Sequence, residues 1–195
     1  MNKPLLGRKM AVLVANGFNE KDLTLTQKAM MHSGVNLRIV SMDSGLVNSW
    51  DDVSNGWGLN FASDQALNQA LAADFDMLTI PGGQRSADKL ELTAHTRRFI
   101  GGFVDTHKPV VAVGEALQLM IFAERAKDMD VTGPESLRER AEAAGAVWSD
   151  DMIVYNEHVM MAQNNDAERQ AIADAANAFF VKSMHNAPQD ETMAA

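Results

Sequence analysis

The sequence predicts an α/β protein with a mostly parallel sheet and helices on both faces of that sheet. Short apolar runs alternate with segments of helical periodicity along most of the 195 residues, an order typical of βαβ units. The runs lack the polar alternation of a strand with one solvated face, so we expect parallel strands buried on both sides. The length and the hydrophobic fraction of 46% suit one globular domain.

The predicted strands are short and apolar. They cover residues 10–15, 36–42, 75–80, 110–113, 147–148, 153–155 and 159–162. After the second of them, residues 46–61 contain glycines together with Trp50 and Trp57, which predicts a hairpin or an irregular excursion. We expect the two tryptophans to pack in the core or in a dimer contact, or to line a pocket or a partner surface.

Helical periodicity predicts four longer helices, over residues 21–33, 93–106, 135–144 and 166–182. Gly34 and Gly145 follow two of them, where glycine commonly ends a helix. A short helix is expected to begin at Asp64, and another directly after Gly114.

The two ends of the chain show no periodicity. We therefore expect an N-terminal tail over residues 1–8, one folded domain over residues 9–183 and a flexible C-terminal tail over residues 184–195. No apolar run has the length of a signal peptide core or of a membrane span, so the cytoplasm is the expected compartment and no membrane partner is expected.

Composition excludes several functional classes. The formal net charge is -9, from 17 Lys+Arg and 26 Asp+Glu, and this disfavours nucleic acid as a partner because nucleic acid is a polyanion. The chain has 0 Cys, which excludes disulfides, thiolate metal sites and a cysteine nucleophile. No phosphate-binding loop or serine-hydrolase motif occurs, and we expect no cofactor.

Histidine spacing gives no sign of a metal site. No pair of histidines has the separation of two ligands on one helix face or one hairpin, and a site could assemble only from distant segments. We therefore expect no metal. The histidines are His32, His95, His107, His158 and His185.

Ligands of open parallel sheets bind at the carboxyl ends of the strands. The segments that directly follow predicted strands there are residues 16–22, 81–86 and 114–115. The functional residues should therefore lie in these three segments.

The same segments resemble the DJ-1/PfpI superfamily. The run MAVLVANGFNEKDLTLTQKAMMHSGV resembles its first strand, acidic loop and first helix, LTIPGG its central strand and glycine turn, and HKPVVAVGEALQLM its nucleophile elbow. The run AEAAGAVWSDDMIVYNEHVMMAQNNDAERQAIADAANAFF is similar to its late strands and last helix. The resemblance extends from Met10 to Lys182. It implies a flavodoxin-like three-layer sandwich, of the class I glutamine amidotransferase-like type, and a homodimer.

The chain departs from the family pattern at its chemically active positions. Gly114 stands at the elbow, where the resemblance implies a cysteine, and Glu115 follows it, where His is common. Asp22 stands where Glu is expected, and Gly133 where many members have His. Glycine adopts the unusual backbone of an elbow at little cost, so Gly114 keeps the turn and removes the nucleophile.

Asp22 and Glu115 have two interpretations. They are either a carboxylate pair, one of them protonated, that performs acid/base chemistry or holds a water, or two helix-start residues. In the second interpretation, which we favour, Asp22 begins the first helix and Glu115 compensates the dipole of the helix after the elbow.

The Pro81-Gly82-Gly83 turn has amides that could bind an anion or a carbonyl oxygen, or it is a tight turn alone. Arg85 could contact an anionic ligand, or it is a solvated loop residue or a dimer contact, and Asp88 is interpreted as surface. The resemblance thus implies a vestigial ligand pocket. Its residues are Asp22, Gly82, Gly83, Gln84, Gly114, Glu115 and Gly133.

The functional prediction is a non-catalytic, small-molecule-binding or regulatory homodimer. The alternative is an enzyme that uses Asp22 and Glu115 in acid/base chemistry, without a thiol, on a small carbonyl compound. The protease, amidase or glyoxalase chemistry that the resemblance would suggest is not expected, because covalent catalysis needs a nucleophile.

Overall fold

The computed structural model describes residues 3–42 and 44–186. Within them the strands are β1 Lys9–Val14, β2 Phe18–Asn19, β3 Asn36–Ser41, β4 Gly45–Asp51, β5 Gly56–Ser63, β6 Gln65–Ala66, β7 Met77–Ile80, β8 Val110–Val113, β9 Asp130–Val131, β10 Val147–Trp148, β11 Ile153–Tyr155 and β12 Val159–Ala162. The α-helices are α1 Glu20–Ser33, α2 Gln84–Glu91, α3 Ala94–Val104, α4 Ala116–Phe122, α5 Arg138–Ala143 and α6 Arg169–Asn186. Two 3-10 turns cover Ala72–Asp74 and Glu135–Leu137.

In the described part of the chain, seven strands form the central sheet, in the order β11-β12-β8-β7-β1-β3-β6. Neighbours pair in parallel except β11, which runs antiparallel to β12 at one edge. This arrangement confirms the predicted α/β fold with a mostly parallel sheet.

Side chains on successive strand residues point to opposite faces of the sheet, and each face has its own core. On one face, Ala11 and Leu13 of β1 pack with residues of α2, α3, α4 and α5. On the other, Met10 packs with Met30 of α1 and with Phe180 of α6. Helices therefore cover both faces, and the flavodoxin-like three-layer sandwich is confirmed.

Residues 46–61 form the predicted hairpin. β4 and β5 pair antiparallel, and β2 adds a parallel strand to this small sheet. Trp50 and Trp57 stand opposite each other across the hairpin, with ring centroids 5.5 Å apart in an edge-to-face contact. The Arg85 guanidinium lies 3.7 Å from the centroid of the Trp50 ring.

Two helix boundaries agree well with the sequence. α1 ends at Ser33, and Gly34 follows it with a φ of 80°, donating its amide to the Met30 and Met31 carbonyls. This is the left-handed conformation that glycine adopts most easily. Gly145, with a φ of 84°, follows α5 after Ala144, and its amide donates to the Glu142 carbonyl at 3.0 Å.

The helix predicted from Asp64 is wrong. The Asp64 carboxylate accepts from the Ile39 amide at 2.7 Å, and its own amide donates to the Ile39 carbonyl at 2.9 Å. These bonds guide the next two residues into pairing with β3 as β6. Tertiary pairing thus overrides the local signal that Asp commonly begins a helix.

Helix α2 is absent from the sequence prediction. It begins immediately after the Pro81-Gly82-Gly83 turn, and its buried residues are Ser86, Ala87 and Leu90. With one large apolar residue in eight, the segment lacks the periodic stripe by which helices are found in sequences.

Both ends of the chain are more ordered than expected where they are described. Leu5 is fully buried, and its amide donates to the Ser33 carbonyl at 2.8 Å. α6 continues to Asn186, three residues into the segment expected to be a tail. Residues 187–195 lie outside the described residues. No helix in the described part of the chain is long and apolar enough to cross a bilayer.

Candidate functional site

The carboxyl ends of β1, β7 and β8 lie side by side in the sheet, and the loop after β1 carries Asp22 into this region. Asn19 caps α1, and its side-chain oxygen accepts from the Asp22 amide at 3.1 Å. The Asp22 side chain turns inward and the residue is 7% exposed. Its Oδ2 accepts from the Gly82 amide at 2.8 Å, so β1 and the turn after β7 are joined directly.

Glu115 reaches the same turn from β8. Its Oε2 accepts from the Gly83 amide at 2.8 Å. A Cβ added to Gly82 would lie 2.8 Å from Glu115 Oε2 and 2.9 Å from Asp22 Oδ2. The two carboxylates therefore flank Gly82 as close neighbours, and glycine is needed there because any side chain would displace them.

Gly114 occupies the sharp turn between β8 and α4. Its φ is 55°, and a Cβ added to it would lie 2.8 Å from the Cβ of Asn164. The unusual backbone expected of an elbow is therefore present, while the space beyond it is filled. Gly133 lies behind the elbow, where an added Cβ would be 3.3 Å from the Gly114 carbonyl oxygen.

Arg169, at the start of α6, completes the site. It is 5% exposed, and its Nη1 forms an ion pair with Asp22 Oδ1. Its Nε donates to Asp166 at 2.5 Å, and its Nη2 donates to Asn164 Oδ1 at 2.6 Å. Asp52 on the hairpin lies 3.5 Å from the same Nη2. The sequence prediction contains neither Arg169 nor Asn164.

Asn164 closes the hydrogen-bond network. Its Nδ2 donates to Glu115 at 3.1 Å, and its Oδ1 accepts from Arg169. The bonds then run from Arg169 through Asp22 to the Gly82 amide, and from Asn164 through Glu115 to the Gly83 amide. Each buried polar group thus has a partner, as buried polar groups require.

Burial and charge pairing act in opposite directions on the pKa values of Asp22 and Arg169. It raises the pKa of the Asp22 carboxyl above its ordinary value, against the opposing effects of the Arg169 guanidinium and the Gly82 amide. Burial also lowers the pKa of Arg169, but the Asp22 and Asp166 carboxylates outweigh it and raise that pKa. Arg169 therefore keeps its charge, and Asp22 serves as its buried counter-ion.

Other residues of the expected pocket point elsewhere. Gln84 is exposed, and its Nε2 donates to Asp88 at 2.7 Å and to Gln118 at 2.8 Å. Arg85 stacks on Trp50. Asp88 is at the surface, accepting from Gln84 and Gln118. The structure thus brings together Asp22, the two turn glycines and Glu115, but not Gln84.

Comparison with known proteins accounts for this architecture. The model of the DJ-1/PfpI family matches residues 8–176, most of the chain. The chain belongs to the DJ-1/PfpI family. A relative from Bacillus subtilis, “Putative cysteine protease YraA”, is 30% identical over 161 residues, which are 83% of this chain and 92% of that protein. “Protein/nucleic acid deglycase 2” of Escherichia coli is 25% identical over 76% of this chain and 84% of its own.

Solved structures of DJ-1/PfpI proteins share the fold. A ThiJ/PfpI domain protein from Brachyspira murdochii superposes with a TM-score of 0.77 at 17% identity, over 92% of this chain and 97% of its own. DJ-1 of Schizosaccharomyces pombe gives 0.72 at 16% identity, over 93% and 99% of the two chains. A two-domain protein from Anabaena variabilis gives 0.79 at 18% identity, and 52% of that longer chain is matched.

Proposed function

We propose that this protein is a non-catalytic member of the DJ-1/PfpI family that acts in the cytoplasm as a regulatory or small-molecule-binding homodimer. The observation that carries the proposal is that both amides of the glycine turn are already hydrogen-bonded. Gly82 and Gly83 donate to Asp22 and Glu115 at 2.8 Å each. Stabilising a developing oxyanion requires donors that are free to meet it.

The position of a nucleophile is also filled. Gly114 has no side chain, and Asn164 lies where a side chain on it would project. The names of two relatives denote a cysteine protease and a deglycase, but this chain has 0 Cys. Covalent catalysis of the kind that a thiol performs therefore has no starting group here.

Acid/base chemistry by Asp22 and Glu115 is the second candidate. It is favoured by their closeness around Gly82 and by the raised pKa of Asp22, since a higher pKa makes a carboxylate a stronger base. It is disfavoured because the Asp22 oxygens are engaged by Arg169 and Gly82 and the Glu115 oxygens by Gly83 and Asn164.

Methylglyoxal consumption by the purified protein tests the proposal against this alternative. We expect no turnover above buffer in the wild type or in Glu115→Gln, with the E. coli deglycase 2 assayed beside them for comparison. Turnover in the wild type that disappears in Glu115→Gln would establish carboxylate chemistry and overturn the proposal.

The β4–β5 hairpin supports the homodimer. Its large exposed side chains include Leu46, Val53, Trp57 and Leu59, each more than half exposed, and covering them with a partner would remove apolar surface from water. We expect a dimer by light scattering, with Leu59→Glu shifting it towards monomer. Leu71→Glu, at an exposed leucine outside the hairpin, is the matched control. A monomeric wild type would contradict this part of the proposal.

A further inference from the structure

The opposite, amino edge of the sheet holds a second group of polar side chains. A cavity of about 1010 Å³ lies there, lined by the loop before β8, the turn between β11 and β12, and one face of α6. Among its lining residues are His107, Glu157 and His158. The site described above lies at the carboxyl ends of the same strands, so the two regions share no residue.

These three side chains converge from two loops about 50 residues apart in the chain. His107 lies between α3 and β8, while Glu157 and His158 form the turn before β12. One ligand atom from each lies within 4.8 Å of the others. The two imidazole rings meet edge to face, with centroids 4.8 Å apart. Because His107 and His158 do not have the spacing of two ligands on one helix face or one hairpin, the sequence does not predict this cluster.

The His158 ring is left unsatisfied. Both of its nitrogens are buried, and within residues 3–42 and 44–186 neither has a hydrogen-bond partner. The Val104 carbonyl lies close to the ring, but its distance and angle to the ring nitrogens do not meet those of a hydrogen bond. Edge-to-face packing alone does not explain why a histidine stands at this position. A phenyl ring would pack in the same way and would leave no buried nitrogen without a hydrogen bond.

The backbone holds the cluster in place. His107 has a φ of 56°, a left-handed conformation that is uncommon for residues other than glycine and that concentrates at functional sites. Its amide donates to the Val104 carbonyl at 3.1 Å, and the Val110 amide donates to the His158 carbonyl at 2.9 Å. The turn that carries His158 is thereby fixed to the first residue of β8.

We propose that His107, His158 and Glu157 bind a divalent transition-metal ion of the zinc type, with a remaining coordination position open towards the cavity. Two imidazoles and one carboxylate are a donor set that such ions favour, and it leaves tetrahedral zinc one free position.

The required adjustment is small. Tetrahedral zinc at bond lengths near 2.1 Å brings its donors to about 3.4 Å apart. The present separations are within 4.8 Å, so the ligand atoms must approach one another by up to about 1.4 Å. His107 and Glu157 are exposed and can rotate without disturbing the core.

Two of the cations that line the cavity are engaged elsewhere. The Lys108 ammonium donates to the Ala72 and Phe75 carbonyls at 2.8 and 2.6 Å. The Arg8 guanidinium pairs with Asp76 at 3.1 Å. Both charges are therefore engaged away from the cluster, although they line the same cavity.

A zinc titration of untagged, chelator-stripped protein tests the proposal, with a chromophoric chelator as competitor. We expect one ion per chain, and at least about tenfold weaker binding in His107→Gln and in Glu157→Gln. The matched control is His95→Gln, at an exposed histidine of α3, which should bind as the wild type does. Cobalt in place of zinc adds a visible spectrum that changes when one ligand is lost.

Unfolding temperatures measured without metal establish that the variants are folded. Zinc should raise the unfolding temperature of the wild type and of His95→Gln, but not of His107→Gln, because a ligand stabilises only the state that binds it. The proposal is overturned if the wild type binds no stoichiometric zinc, or if the double variant His107→Gln/Glu157→Gln binds it as tightly as the wild type.

Discussion

The polar side chains at the carboxyl ends of the central strands differ in their hydrogen bonding from those at the amino ends. At the carboxyl ends of the strands, Asp22, Glu115 and Arg169 are buried or half-buried, and each of their side-chain oxygens and nitrogens has a hydrogen-bond partner. At the amino edge, His158 has two buried nitrogens without a partner in the described chain, next to His107. The polar groups with hydrogen-bond partners are thus those at the carboxyl ends of the strands, where ligands of open parallel sheets bind.

This difference shows that position in the fold and hydrogen bonding are separate kinds of evidence for a site. Carboxylates at the carboxyl ends of parallel strands suggest catalysis by position alone, yet here their hydrogen-bonding capacity is used within the protein. A polar group that remains unpaired at the opposite edge is better evidence of a ligand, because leaving it unpaired costs free energy that a ligand can recover.

At the carboxyl ends of the strands, removing Arg169 should have the largest effect on the free energy of unfolding. We expect Arg169→Met to lower the free energy of unfolding by about 3–5 kcal/mol, because it leaves the Asp22 carboxylate buried without its counter-ion. Urea unfolding measures the loss. The double variant Arg169→Met/Asp22→Asn should be more stable than the single one.

Arg125→Met is the control for this change. Arg125 pairs with Asp105 at the surface, where an ion pair is worth about 1 kcal/mol or less. Equal losses in the Arg169 and Arg125 variants would mean that the buried network contributes no more than a surface pair.

Restoring a cysteine at the elbow should also be unfavourable. Gly114→Cys must adopt a φ of 55° and place its Cβ 2.8 Å from that of Asn164, so we expect a loss of about 1–3 kcal/mol. Asn164→Gly in the same chain should relieve part of it. A single variant as stable as the wild type would show that the elbow is open rather than filled.

Substitution of the unpaired histidine at the amino ends of the strands should change the free energy of unfolding in the opposite direction. Without metal, His158→Leu is expected to be neutral or to stabilise by up to about 1 kcal/mol, because it removes two unpaired polar atoms. Thr96→Val is the contrasting variant, since buried Thr96 donates to the Leu90 carbonyl at 2.6 Å, and it should lose about 1 kcal/mol. A clear loss in His158→Leu would mean that the imidazole already has a partner.

The smallest effect concerns pH. Because burial raises the folded-state pKa of Asp22 above 3.8, the folded protein holds this proton more tightly than the unfolded chain. That contribution to stability is complete at low pH and is lost as pH rises through the folded-state pKa. The Glu115 charge adds to the shift, so Glu115→Gln should flatten this part of the stability profile. An unchanged slope would show that Glu115 does not influence Asp22.

Much of the fold could be predicted from the sequence because its signals are local. The apolar run 110–113 matches β8 at both ends, and Gly34 ends α1 where it is expected to. Helix α2 and the pairing of β6 could not be predicted, because both depend on contacts with distant parts of the chain.

Only part of the candidate site could be predicted from the sequence. Parallel strands bring their carboxyl ends together, so Asp22, Gly82 and Glu115 could be expected to meet. Arg169 could not be expected there from the spacing of site residues, because it follows Asp22 by 147 positions. One signal was present: Arg169 precedes Ile172 by three residues and thus lies on the buried stripe of α6.

The sequence separation of Asp22 and Arg169 affects how the chain folds during its synthesis. During synthesis Asp22 emerges early, while its counter-ion follows 147 residues later, after every strand of the sheet has left the ribosome. Until then, burying the carboxylate of the first loop costs free energy, because no opposite charge faces it. Vectorial folding of this domain should therefore pause before α6, and a chain that terminates just short of Arg169 should be a substrate for proteolysis rather than a smaller stable protein.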